Sequence, residues 1–129
     1  MKKKYLIVIA DYYKDISKGL LSSALSLIPK SNIIKIITVP GVFEIPVTIS
    51  KNIKKYDAFL ALGCVIKGQT PHFDFISQAS INAIMDISII HNKPVGNGII
   101  TCLNLKQAKD RKRKGAEAAK AVISVMTQK

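Results

Sequence analysis

Four apolar segments rich in β-forming residues alternate along the chain with segments of helical periodicity, and this alternation restricts the fold more than any other feature. The first segment, Lys4–Ala10, is a continuous apolar run of the kind found in strands buried on both faces of a parallel sheet. After a polar loop, apolar residues recur at helical spacing through residues 16–28, and Pro29 ends the pattern. The chain therefore opens with a strand and a crossover helix.

The same unit recurs three more times, which predicts a four-stranded parallel sheet with helices on both faces. The predicted strands are Ile33–Val39, residues 57–66 and Val95–Cys102, and the predicted helices cover residues 43–53, residues 73–87 and the C-terminal segment. A chain of 129 residues that is 48% hydrophobic can bury a core without disulfides or metal. We therefore predict a single domain over residues 1–129.

Ligands of such sheets bind outside the carboxyl ends of the strands. The segments that follow the predicted strands are residues 11–15, residues 40–44, residues 67–72 and the turn after Cys102. Three of these four segments have unusual sequences, and any chemistry is expected there.

The segment GCVIKGQTPHF, residues 63–73, joins a buried strand to a helix that begins near His72. Gly68 permits close approach of the backbone to a ligand. Thr70 is the predicted N-cap and Pro71 the first helical residue, so backbone amides near Gln69 would face outward at a helix N-terminus, a geometry that suits a phosphate. His72 would lie beside this pocket and could move protons near neutral pH. A capped helix with an exposed histidine is the alternative, and the loop by itself does not decide between them.

The segment VPGVFEIP, residues 39–46, places a Pro-Gly turn between a strand and a helix. Glu44 lies in the first helical turn, where the helix dipole favours a carboxylate with or without a function. The functional interpretation is recognition of a polar ring system, with hydrogen bonds from Glu44 and the turn backbone and a stacking face from Phe43 or Tyr12.

The run DRKRKG, residues 110–115, is predicted early in the final helix. Such a run is usually a solvated face, but Arg111 follows a strand end, and a guanidinium binds phosphate through two parallel hydrogen bonds. His91 has no acidic or cysteine partner at metal-ligand spacing, so it is interpreted as a loop residue.

Taken together, VPGVFEIP, ALGCVIKGQTPHFDFI and PVGNGIIT followed by QAKDR resemble the motifs of the lumazine synthase family, in the same order and spacing and over nearly the whole chain. The resemblance implies a flavodoxin-like three-layer sandwich, with a four-stranded parallel sheet and helices on both faces. It implies the condensation of 5-amino-6-(D-ribitylamino)uracil with 3,4-dihydroxy-2-butanone 4-phosphate to 6,7-dimethyl-8-ribityllumazine, phosphate and water, the penultimate step of riboflavin biosynthesis.

The resemblance also assigns roles to individual residues. The ribitylaminouracil would be bound by Tyr12, Val42, Phe43, Glu44, Cys64, Val65, Ile66 and Asn97, and the butanone phosphate by Gln69, Thr70 and Arg111. His72 would donate protons. The nucleophilic amine belongs to the substrate, so no cofactor, Schiff-base lysine or metal is expected, and positioning of the two reactants should dominate.

Asn97 and Arg111 match positions that act from a neighbouring subunit, which predicts a homo-oligomer. We expect at least a pentamer, with a 60-subunit capsid as the larger alternative and riboflavin synthase as a candidate partner. Several positions depart from the common pattern: Tyr12 where Phe or Trp is usual, Lys67 where Arg is usual, Asn97 where Phe is frequent, and a short connection over residues 111–115. Pocket shape and final assembly are therefore open.

Composition excludes some other classes. The net charge of +12 is spread over scattered lysines, which disfavours a nucleic-acid interface. Charged and polar residues interrupt every apolar stretch before about 18 residues, so no membrane association is expected. Cys64 and Cys102, each in an apolar segment, predict buried thiols and a cytoplasmic protein.

Three rival functions share this architecture. The third strand lacks the terminal Asp of a phospho-receiver, and ADYYKD lacks the hydroxyl-rich phosphate loop of a flavodoxin. A flavin- or lumazine-binding protein without catalysis is the best alternative, since the same pocket would serve it.

Overall fold

The computed structural model describes residues 2–128 and shows four strands and five α-helices in strict alternation up to the last strand. The elements are β1 (Lys4–Ala10), α1 (Lys14–Leu25), β2 (Ile33–Val39), α2 (Ile45–Lys51), β3 (Ala58–Ile66), α3 (His72–His91), β4 (Val95–Cys102), α4 (Leu105–Lys109) and α5 (Lys114–Met126). The strands form one sheet in the order β2-β1-β3-β4, and every neighbouring pair is parallel. The predicted four-stranded parallel sandwich is confirmed.

Alternate residues of each strand supply two separate cores. On β1, Tyr5, Ile7 and Ile9 point towards α1 and α5, whereas Leu6, Val8 and Ala10 belong to the core under α2 and α3. All six are buried, which explains why β1 is apolar at successive positions rather than at every second one. Helices packed on both faces thus hold the sheet in place, and with it the carboxyl ends of the strands.

Four predicted details of the helices were wrong. His91 is the last residue of α3 and not a loop residue. The segment predicted as a helix over residues 43–53 begins as a 3-10 turn, Val42–Glu44, and continues as the shorter helix α2. The C-terminal segment forms two helices, so the basic run connects α4 to α5 instead of lying in one helix. Pro71, not Thr70, stands at the N-cap of α3, with no side-chain capping hydrogen bond.

Helix α3 is the one described helix that is long and apolar enough to cross a membrane, judged by length and composition alone. It connects β3 to β4, which are hydrogen-bonded neighbours in the sheet. A helix whose two ends join paired strands must lie along that sheet, and Ile84 is buried against it. The exposed apolar side of α3, which includes Met85 and Ile89, is therefore a surface feature of the sandwich.

Candidate functional site: a cavity at the carboxyl ends of the strands and a cavity along the edge strand

A cavity of about 690 Å³ opens at the carboxyl ends of β1, β2 and β3. Its wall contains His72 and seven of the residues predicted to bind the pyrimidine, namely Tyr12, Val42, Phe43, Glu44, Cys64, Val65 and Ile66. These residues come from loops far apart in sequence, and the parallel sheet brings them together because its strands all end at the same edge. We call this the first cavity.

The turn after β2 is held in shape by its own carboxylate. The Gly41 amide donates a hydrogen bond to Glu44 Oε1 at 3.0 Å, and the Glu44 amide donates to the Gly41 carbonyl at 3.2 Å. One carboxylate oxygen is thus occupied within the 3-10 turn. Val42, at the base of the turn, is buried against β3, so the turn is anchored to the sheet below it.

Two aromatic rings stand open beside this turn. Tyr12 is 74% exposed and Phe43 is 61% exposed, although both line the first cavity. Tyr13 packs its ring edge-on against that of Tyr12, with centroids 4.9 Å apart and planes at 81°. When a planar ligand covers large exposed rings, their apolar surface is removed from water, which favours binding. The cavity is therefore suited to a flat ring system.

The two cysteines are free, buried thiols, as predicted. Burial, and secondarily the neighbouring Cys102, raises the pKa of Cys64 to about 12. Burial also raises the pKa of Cys102, partly offset by the nearby Arg111. The buried Cys64 thiol therefore stays neutral near physiological pH and is not activated as a nucleophile.

The segment predicted to bind phosphate, between β3 and α3, is exposed. His72 is the first residue of α3 and lines the first cavity. Gln69 and Thr70 lie at the surface and do not line either of the cavities described here. The amides of Asp74 and Phe75 donate to the Pro71 carbonyl, which fixes the start of the helix and hence the position of the imidazole.

A second cavity of about 710 Å³ lies against the edge strand β4 and holds the remaining predicted residues, Asn97 and Arg111. Asn97 Oδ1 accepts a hydrogen bond from the Ile99 amide at 3.0 Å. Arg111 is exposed, and its Nη1 reaches the Thr101 carbonyl at 3.5 Å, a long and weak contact. The guanidinium is thus available to a ligand.

Among residues 2–128, none lines both cavities. Apart from Gln69 and Thr70, which line neither cavity, the predicted site residues therefore fall into two sets that a single chain keeps apart. Sequence reasoning missed Tyr13 and Ile76 in the first cavity and the polar residues Thr101, Asp110 and Glu117 in the second. Within the same described range, no three His, Cys, Asp or Glu side chains come close enough to hold a metal ion.

The parallel sandwich, the cavity at the carboxyl ends of its strands and the second cavity along its edge strand define a flavodoxin-like protein suited to binding small polar molecules. Residues 2–129 match the family model of 6,7-dimethyl-8-ribityllumazine synthase. The chain is 43% identical to the 6,7-dimethyl-8-ribityllumazine synthase of Bartonella henselae over 99% of its own length and 89% of that protein. It is 40% identical to that of Nitrobacter hamburgensis over 94% and 82% of the two chains.

The chain belongs to the 6,7-dimethyl-8-ribityllumazine synthase family. It is accordingly a transferase of riboflavin biosynthesis, which condenses 5-amino-6-(D-ribitylamino)uracil with 3,4-dihydroxy-2-butanone 4-phosphate. Family membership also implies an oligomeric assembly of subunits that act on small molecules.

Proposed function

We propose that the condensation takes place in a site built from the first cavity of one subunit and the second cavity of its neighbour in a homopentamer. The observation that carries this proposal is the division of the predicted residues between two cavities of one chain. A ring of subunits joined by one repeated head-to-tail interface can place the second cavity of each copy against the first cavity of the next. In an isolated subunit the first cavity would lack Asn97 and Arg111.

In this proposal the first cavity holds the pyrimidine. The exposed rings of Tyr12 and Phe43 cover its faces, and the edge contact from Tyr13 restrains the Tyr12 ring. Glu44 already binds the Gly41 amide through Oε1, so Oε2 is the oxygen proposed to accept from the ribityl chain or the ring. The backbone of Cys64, Val65 and Ile66 lines the floor.

The phosphorylated ketone lies between the two subunits. Arg111 of the neighbouring subunit binds its phosphate, while Gln69 and Thr70 of the first subunit close the other side from their exposed loop. Asn97 of the neighbour contacts the pyrimidine. The His72 imidazole then lies beside both reactants, in a wall that the pyrimidine also touches.

The proposed reaction requires the protein mainly to position the two substrates and to transfer protons. The 5-amino group of the pyrimidine attacks the ketone carbonyl, and loss of water gives an imine. Abstraction of the C3 proton of the imine expels phosphate and leaves an enol, which tautomerises to a ketone. The ribitylamino nitrogen attacks this carbonyl and closes the second ring with loss of another water. His72 is proposed to deliver and remove protons in the dehydration and elimination steps. Holding the two reactants together supplies the rest of the acceleration.

An apolar groove of about 410 Å³ supports association between copies. It lies between α3, β4 and α5 and is lined by Met85, Ile89 and Val125, which are 59%, 65% and 47% exposed in the single chain. Large apolar side chains clustered at an open sheet edge favour burial against another subunit. The two free thiols suit a reducing compartment, and we place the enzyme in the cytoplasm.

The first experiment mixes purified protein with both substrates and follows the fluorescence of the lumazine against a protein-free control. Acceleration is the expected result. A well-folded oligomer that binds the pyrimidine without accelerating its conversion would contradict the proposed catalysis and would support a binding protein instead.

The shared site is tested by subunit mixing. A first-cavity variant, Tyr12→Ala with Phe43→Ala, is co-expressed with a second-cavity variant, Arg111→Ala; all three side chains are exposed, so folding should be retained. In a random mixture an interface is intact when each side contributes its unaltered half, which is about one interface in four for a cyclic assembly. The mixture should therefore recover about a quarter of the wild-type activity.

The matched control mixes the same two proteins after separate purification, without exchange of subunits. Activity of the co-expressed mixture that equals the mean of the separate variants would show that both cavities act within one chain.

A further inference from the structure

Four consecutive basic residues, Arg111 to Lys114, cover the connection between α4 and α5 and the first residue of α5. Their side chains point in different directions. The connection is a tight turn. The Lys114 amide donates to the Arg111 carbonyl at 3.0 Å, and the Gly115 amide donates to the Lys112 carbonyl at 3.2 Å. The Arg113 carbonyl accepts from the Glu117 amide at 3.1 Å, so the turn continues directly into α5. These hydrogen bonds therefore fix the backbone from which the four basic side chains extend.

Lys112 points away from the second cavity. Its aliphatic stem lies over Gly19 of α1, where a Cβ added to the glycine would be 3.2 Å from Lys112 Cβ. Arg111, Arg113 and Lys114 all line the second cavity instead. The run is thus not a uniformly solvated charged face, because one cation packs on a helix and three surround a cavity.

The charges around the second cavity are unequal. Arg111, Arg113 and Lys114 face it together with two carboxylates, those of Asp110 and Glu117. The lining therefore carries an excess of positive charge, which suits an anion. Two guanidinium groups on one turn can each direct a pair of N–H donors at the oxygens of a phosphate.

We propose that Arg113 is a second phosphate-binding residue for the phosphorylated ketone, beside Arg111. The inference rests on the proposed function, since it assigns the phosphate to the second cavity. The short connection is the structural reason, because only Lys112 separates the two arginines and the hydrogen-bonded turn brings both to the same wall.

The test compares Arg113→Gln with Lys112→Gln. Each variant removes one positive charge and keeps an aliphatic stem, and the two positions are adjacent, but only Arg113 lines the cavity. For Arg113→Gln, the KM for the phosphorylated ketone and the inhibition constant of inorganic phosphate should both rise about tenfold, the order expected from losing one charge-assisted hydrogen bond. The kcat and the KM for the pyrimidine should change little.

Lys112→Gln should change all of these constants by about twofold or less, because only its screened long-range charge is removed. Arg113→Lys should recover part of the lost phosphate affinity, which a purely structural role at the helix start would not explain. Equal effects of Arg113→Gln and Lys112→Gln, or a fall in kcat with unchanged phosphate inhibition, would overturn the assignment.

Failure of this inference differs from failure of the proposed function. If the wild-type protein does not form lumazine, the proposed function is wrong. Titration of inorganic phosphate into the three proteins by calorimetry still tests Arg113, since weaker binding by Arg113→Gln alone supports the assignment and equal binding by all three proteins overturns it.

Discussion

Replacing Gly63 by alanine tests how the sheet positions the first cavity. Gly63 precedes Cys64 on β3 and lies beneath the turn that carries Phe43 and Glu44. A Cβ at this position would lie 2.8 Å from Val42 Cγ2, 3.2 Å from Ala10 Cβ and 3.6 Å from Ile45 Cδ1. Carbon atoms pack best at about 3.5–4.0 Å, so Val42 must retreat by about 1 Å.

The displacement has an energetic and a functional consequence. Overpacking of this kind costs about 1–3 kcal/mol, offset in part by the conformational entropy that the glycine no longer loses, so the free energy of unfolding should fall by about 1–2 kcal/mol. Because Val42 is the base of the turn, the KM for the pyrimidine should also rise. Urea denaturation at one fixed protein concentration measures the first effect, since oligomer stability depends on concentration.

A double-mutant cycle with Val42→Ala isolates the collision. Val42→Ala removes Cγ2 and should itself cost about 1–3 kcal/mol, but in that background Gly63→Ala should cost less than about 0.5 kcal/mol. Gly68→Ala is the matched control, because a Cβ there has no neighbour within 4 Å. Additive effects of Gly63→Ala and Val42→Ala, or equal destabilisation by Gly68→Ala, would refute the argument.

Three further predictions concern the reaction, the helix packing and the thiols. His72→Ala should slow lumazine formation by about 10²–10⁴-fold without abolishing it, since positioning remains; loss of all turnover above the protein-free rate would contradict this. Gly115→Ala should cost about 1–3 kcal/mol in urea denaturation because its Cβ would collide with the Leu20 carbonyl, whereas Gly19→Ala, which meets only a lysine stem, should not destabilise. Burial raises the pKa of Cys64 from 9.0 to about 12, so the unfolded chain loses the thiol proton at a lower pH than the folded chain does. The free energy of unfolding should therefore fall as pH rises from about 9 towards 12. Cys64→Ala should weaken that decline when urea midpoints are compared on both sides of this range.

The strands could be predicted because a strand that is buried on both faces must be apolar at successive positions, and such a run is visible in the sequence. The observed bounds of β1, β2 and β4 match the prediction, and β3 begins one residue later, at Ala58. The break between α4 and α5, after Lys109, was missed. The start of α4 does have a local signal, because Asn104 Oδ1 accepts from the Gln107 amide at 2.9 Å and Gln107 Oε1 accepts from the Leu103 amide at 2.8 Å.

Tyr12, Phe43, Glu44 and His72 could be proposed from the sequence because parallel strands bring the loops that follow them to one edge of the sheet. Val42 and residues 64–66 were assigned by the resemblance to the family. Tyr13 was missed because its part in the cavity depends on packing against Tyr12, which no spacing rule encodes. The direction of the Lys112 side chain could not be predicted from the sequence either. Four adjacent cations look alike in sequence, and only the turn geometry sends one of them over Gly19.

In the proposed shared site, catalysis depends on association of the subunits. The second cavity lies against β4, an edge strand, and the apolar groove lined by Met85 and Ile89 runs along the same strand. A neighbour that covers this edge would therefore bury apolar surface and bring up the other half of the site in one event. Selection for a folded assembly and for a complete active site then acts on one interface, so a change at Met85 or Ile89 that loosens this interface should weaken catalysis even though neither side chain is proposed to touch a substrate.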